Sequence, residues 1–178
     1  SRFSGKRLIV NMIQTLYSVP TVAIGLFVYV FLSRAGPFGG LGLLFSPPAI
    51  VIGQVLLVSP IITGLTISAL SSMDKAVTET AISLGANRVQ AAILLVKEVR
   101  FAIVAAIIMA FGRAVSEVGV SLMVGGNIRG FTRTITTAIS LETSKGEIEL
   151  ALALGLILLF VALLVSIALN ALQHGRNE

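Results

Sequence analysis

A stretch of twenty residues without a charge, residues 150–169, constrains this chain more than any other feature of its sequence. Coiled as a helix it reaches roughly 30 Å, the thickness of a bilayer's hydrocarbon core. Fourteen of the twenty are Leu, Ile, Val or Phe. At about −0.3 to −0.6 kcal/mol each they favour insertion by roughly −4 to −8 kcal/mol. Three more apolar runs precede it, at 8–32, 48–70 and 101–124. Composition agrees, since only 12% of the 178 residues are charged and 56% are hydrophobic, against about 25% charged in a soluble domain. These observations predict an all-α integral membrane protein with about four transmembrane helices.

Several chemistries are excluded by what is missing. No cysteine is present, so disulfides, zinc fingers, iron–sulfur clusters and thiol nucleophiles are out. The single histidine, His174, rules out a His-clustered metal site. No GxxxxGK[ST] phosphate loop occurs, so ATP is not expected to bind here, and no cofactor is expected in this chain. No nucleophile–base pair suggests an enzyme. The net charge of +5 does not form a continuous basic stripe, because the cations fall between apolar runs. Nucleic acid is therefore not an expected partner, whereas the lipid bilayer is.

The basic residues also set an orientation. With both ends in the cytoplasm, Arg2, Lys6, Arg7, Lys75, Arg88, Lys97, Arg100 and Arg176 lie inside, against Arg34, Arg129, Arg133 and Lys145 outside. That excess has the sign the positive-inside rule requires. It makes 71–100 a cytoplasmic segment, 125–147 an outer loop and 174–178 a cytoplasmic tail. Pro20 and Pro60 fall inside two of the runs, as packing kinks or as gating hinges. Ser46, ahead of Pro47 and Pro48, reads as a helix N-cap. The glycine-rich stretch 34–45 reads as an outer turn region.

The cytoplasmic segment SSMDKAVTETAISLGANRVQAAILLVKEVR is far longer than a simple connection needs. Ala76, Val77, Ala81 and Leu84 recur at helical spacing, and Gly85 then suits the left-handed turn that ends a helix. Asn87 with Gln90 three residues later forms a capping-box restart. Two short helices meeting at Gly85 make a docking knuckle.

Arg113 and Glu117 stand four apart within 101–124, on one face of the expected helix. The eleven Leu, Ile, Val and Phe residues of that run supply about −3 to −7 kcal/mol, and the two charges cancel most of it. That face must meet protein or a water-filled path, so the pair either lines a translocation pathway or locks two helices. Alongside runs a small-residue row, Ala102, Ala106, Ala110 and Ala114, suited to close helix packing. In the outer loop Arg129 and Arg133 bring charge, while Thr132, Thr134, Thr136 and Thr137 bring hydroxyls. Oxyanion contacts, a surface for a binding protein and a solvated loop are equally open readings of it. Residues 134–141 are apolar enough to form a short helix partly in the membrane.

Two stretches carry a resemblance. Glu79-Thr80-Ala81, three residues, Gly85, nine residues and Leu95 resemble the EAA loop of binding-protein-dependent ABC-importer permeases, with Thr80 for an alanine and Lys97-Glu98 where Leu-Pro is usual. Residues 112–155, GRAVSEVGVSLMVGGNIRGFTRTITTAISLETSKGEIELALALG, look like tungstate permeases and, less closely, molybdate permeases. The resemblance implies a type-I-like transmembrane domain over 6–173 in a prokaryotic cell membrane. It implies Glu79, Thr80, Ala81 and Gly85 at the contact with two separate ATPase subunits, which bind ATP and Mg. It also implies a second copy of the chain and an extracytoplasmic oxyanion-binding protein. The chain starts at Ser1 without an initiator Met or a cleavable leader, and the family carries a further helix upstream, so a preceding segment is expected. The expected function is oxyanion import, tungstate first, with molybdate or another oxyanion as the alternative. Outside that class stands an ion-coupled secondary transporter using Arg113 and Glu117. One acidic residue in a span and no evident internal repeat count against it.

Overall fold

A computed structural model describes residues 19–174, and every regular element among them is helical. In chain order these are α1 (Thr21–Leu32), a 3₁₀ turn (Gly39–Leu41), α2 (Pro47–Ser71), α3 (Lys75–Ser83), α4 (Arg88–Glu98), α5 (Arg100–Val115), α6 (Gly119–Gly125), α7 (Ile135–Lys145) and α8 (Ile148–His174). By length and composition α2 and α8 suit a membrane crossing, with mean hydropathies of 2.1 and 3.0. A third candidate, α5 with α6, is bent by 58° at the break between them. The expected single helix over 101–124 is therefore two helices. Of the expected first span, 8–18 lies outside the described residues, and α1 is an apolar helix of twelve residues. The basic residues at 2, 6, 7 and 176 also lie outside them.

Proline placement explains two boundaries. Pro20 stands at the N-cap of α1 rather than inside a helix, where its missing N–H is no loss. Pro60 sits within α2, which runs on through it. Ser46 occupies the N-cap position of α2, but its side chain makes no capping bond; the hydroxyl donates instead to the Leu43 carbonyl.

The tight core lies where α6 wedges between α1 and α2. Val28, Leu32, Ala49, Ile50, Val120 and Val124 are buried there. Small residues make the wedge possible. A Cβ added at Gly53 would collide with Val120 Cγ1, and one at Gly25 would lie 3.0 Å from Met123 Cβ. Without hydrophobic driving force between helices in lipid, such close backbone approach is what dispersion packing requires. Phe45 N–H donates to the Val124 carbonyl (2.8 Å) and fastens the α1–α2 loop to the end of α6.

On the other side α5 packs against α2, and its two buried residues are Ala106 and Ala110. The small-residue row is thus a packing seam over its central turns, while Ala102 is exposed. Helix α8 leans on α7 and α5. Its less exposed positions, Ala151, Leu154, Gly155, Leu158, Ala162 and Val165, recur at helical spacing, and Leu152, Leu156, Leu159, Phe160 and Leu163 face outward. An outward apolar face on the most hydrophobic helix is what a bilayer solvates.

Candidate functional site

The break at Ser116–Val118 is the chemical centre of the bundle. A carboxylate buried in an apolar helix needs hydrogen-bond partners that a continuous helix cannot provide, since its amides are already paired. Ending α5 at Val115 frees the first amides of α6, and Glu117 Oε1 accepts from Val120 N–H at 3.0 Å. The Glu117 carbonyl is used too: Thr136 Oγ donates to it at 3.1 Å, and Ser121 Oγ at 3.4 Å. Glu117 is only 3% exposed. Negative charge at a helix N-terminus is also favoured by the helix dipole.

Arg113 is held differently. Its Nη2 stands 3.8 Å from Glu117 Oε2, and its side chain is 44% exposed. The expected pair does form, but across a helix break and at the outer limit of an ion pair. The carboxylate is fixed chiefly by backbone and the guanidinium hardly at all. That geometry leaves the guanidinium loosely held.

A pocket of about 200 Å³ adjoins the break, lined by Gln54, Ala114, Glu117, Thr134, Thr136 and Leu158. It draws on α2, α5, α7 and α8 together with the break itself. Gln54 Nε2 donates to the Ala114 carbonyl at 3.3 Å and ties α2 to the last turn of α5. Gln54 had no place in the sequence argument. It is the one amide side chain in an otherwise apolar stretch of α2, which was the signal available.

The knuckle forms at residues 75–98. Asp74 caps α3 by accepting from Ala76 N–H at 3.0 Å. Gly85 takes φ +89°, with its N–H on the Ile82 carbonyl and the Ala86 N–H on the Ala81 carbonyl. These two bonds are a Schellman end, which a residue without Cβ adopts freely. Asn87 and Gln90 then cap α4 reciprocally, at 2.8 and 2.9 Å. Ala81 and Ala91 are buried where α3 meets α4. Glu79 and Thr80 are exposed. Leu84, the last residue at helical spacing in the sequence, falls just past α3, which stops at Ser83, and stands 84% exposed beside Gly85. Ile82 and Val89 are exposed as well. A cap of bare aliphatic side chains around a tight turn is an interaction surface in form.

The segment between α6 and α7 is tied internally. Arg133 donates to the Asn127 side chain (3.1 Å) and to the Asn127 carbonyl (3.3 Å). Thr134 and Thr137 cap α7 reciprocally. Thr132 accepts from Ile128 N–H at 2.9 Å and donates to the Gly125 carbonyl. The four threonine hydroxyls, for which the sequence leaves oxyanion contact as one of three open readings, are engaged within the chain, Thr136 on the Glu117 carbonyl included. Arg129 is exposed. The expected short helix at 134–141 is α7, starting one residue later.

Comparison with known proteins places the chain among transport components of a membrane. Residues 1–177 match the family described as binding-protein-dependent transport system inner membrane component, and the chain belongs to that family. It is 41% identical over its whole length to a tungstate uptake system permease protein of Peptoclostridium acidaminophilum, covering 76% of that protein. It is 43% identical, over 98% of its length and 77% of the relative, to a probable anion ABC transporter permease protein of Haloferax volcanii. A tungstate uptake system permease protein of Campylobacter jejuni is 41% identical over 97% of this chain and 70% of its own. The chain is thus a membrane transport component of the binding-protein-dependent kind rather than an enzyme.

Proposed function

We propose that this chain is the membrane-spanning permease of a tungstate importer, paired with a second copy of itself and driven by two separate ATPase subunits that hold ATP and Mg. An extracytoplasmic binding protein would deliver the oxyanion. Both ends of the chain, and the α3–α4 knuckle, would face the cytoplasm. Exposed Leu84 and Ile82, with Glu79, Thr80 and Gly85 around the turn, would form the surface gripped by the ATPase, while Ala81, buried against α4, would hold the knuckle in shape. Closure of the ATPases would then swing the bundle between outward- and inward-open states.

The observation that carries the reading of the path is the loosely held guanidinium of Arg113. Between Arg100 and Arg129 it is the only cation, and its contact with Glu117 is long enough to yield to a dianion. A doubly charged oxyanion crossing an apolar bundle needs such a counter-charge where water is scarce. Arg129 would add positive potential at the outer mouth, while Arg133 and Thr134 would shape it through the Asn127 and α7 contacts they make.

The test is reconstitution into proteoliposomes with the ATPase subunits and the binding protein. ATP-dependent accumulation of tungstate is expected, with molybdate and sulfate as competitors that grade selectivity. Accumulation that follows a proton or sodium gradient without ATP would overturn the proposal in favour of secondary transport.

A further inference from the structure

Two recesses flank the loop between α1 and α2. One, about 390 Å³, is lined only by apolar residues, among them Phe27, Phe31, Phe38, Leu41, Ile52 and Leu56. The other, about 550 Å³, is lined by Tyr29, Ser33, Arg34, Gly39 and Phe45. Leu32 borders both, and successive loop residues alternate between them: Phe38, Leu41 and Leu43 on the apolar side, Gly39, Gly42 and Leu44 on the polar side. Phe31 stacks on Phe38 with ring centroids 6.3 Å apart, which braces the apolar wall.

Charge decides what fits. Between Arg7 and Asp74 the only charged residue is Arg34. Among the described residues neither of the two ion pairs involves it. Arg34 lines the second recess, which adjoins the apolar groove across Leu32; a guanidinium one wall away from a groove with no polar lining matches a molecule with a long hydrocarbon tail and an anionic oxygen-rich head. We infer that this loop binds one anionic phospholipid, with an acyl chain in the Phe27–Leu56 groove and its phosphate on Arg34. The lipid would fix the α1–α2 loop, which Phe45 fastens to α6, and so steady the core from the membrane side.

The experiment is native mass spectrometry of the purified full chain after exchange into mixtures of phosphatidylglycerol and phosphatidylcholine. The wild type is expected to retain one phosphatidylglycerol in preference to phosphatidylcholine. Arg34→Gln should abolish the headgroup preference, a loss of about tenfold or more for a charged contact, while still retaining lipid. Ile52→Trp, which fills the groove, should reduce retention of both lipids without changing their ratio. Equal retention in the wild type and both variants would overturn the inference. So would protection of the groove only on dimerisation, or its cross-linking to residues upstream of Val19, since another part of the protein would then be the occupant.

Discussion

Replacing Glu117 separates two accounts of the intramembrane charges. If Glu117 and Arg113 were a lock between helices, breaking either half would leave an unpaired buried charge and cost about 3–5 kcal/mol. The geometry gives a different distribution. The 3.8 Å contact to a 44% exposed guanidinium is worth about 1 kcal/mol or less after solvent screening. The 3.0 Å bond to Val120 N–H, made by a buried carboxylate, is worth about 1.5–3 kcal/mol. Glu117→Gln can keep an oxygen on Val120 N–H, so about 1 kcal/mol should be lost. Glu117→Ala strands that amide and should lose about 2–4 kcal/mol. Arg113→Gln should lose under about 1 kcal/mol. Reversible unfolding in mixed micelles, monitored by far-UV circular dichroism, gives all three values on one scale. Equal and large losses for Arg113→Gln and Glu117→Gln would refute the capping account and restore the lock.

The same assignment predicts that Arg113→Ala abolishes tungstate uptake in proteoliposomes at near-normal stability, while Arg113→Lys keeps part of it; unchanged uptake in Arg113→Ala would remove Arg113 from the path. Gly53→Ala places a methyl group against Val120 and should destabilise by about 1–3 kcal/mol. Adding Val120→Ala should recover part of that loss at the same site, and strictly additive losses in micelle unfolding would contradict the packing. At Gly85 a Cβ meets nothing within 4 Å, but φ is +89°, so Gly85→Ala should cost only about 1–2 kcal/mol of local strain. Gly85→Asp should insert into the membrane yet uncouple ATP hydrolysis from uptake, and coupled transport by that variant would contradict the contact.

How far the sequence carried depended on whether a pattern or a partner fixed the geometry. The uncharged run 150–169 became α8 because insertion energy and length alone dictate it. The knuckle was legible because its signals are local: a glycine at the left-handed position, and an Asn–Gln box bonded to its own backbone. The break at Ser116–Val118 was not legible. Apolar periodicity continues straight through 101–124, and what overrides it is the burial of a carboxylate that takes the amide three residues ahead while its own carbonyl accepts from distant Thr136. Leu84 misled for a related reason, since spacing assigns it to a helix that ends one residue earlier. The outer threonines showed their residue type but not their partners; Thr136 bonds to Glu117, nineteen positions away, and no local pattern encodes that.

Because the chain contains no cysteine, one introduced at the bare apex reports alone. Leu84→Cys should cross-link to the ATPase subunit in native membranes and resist an impermeant maleimide applied to intact cells. Labelling from outside, or normal tungstate uptake with no ATPase within cross-linking reach of that position, would contradict the account at its root.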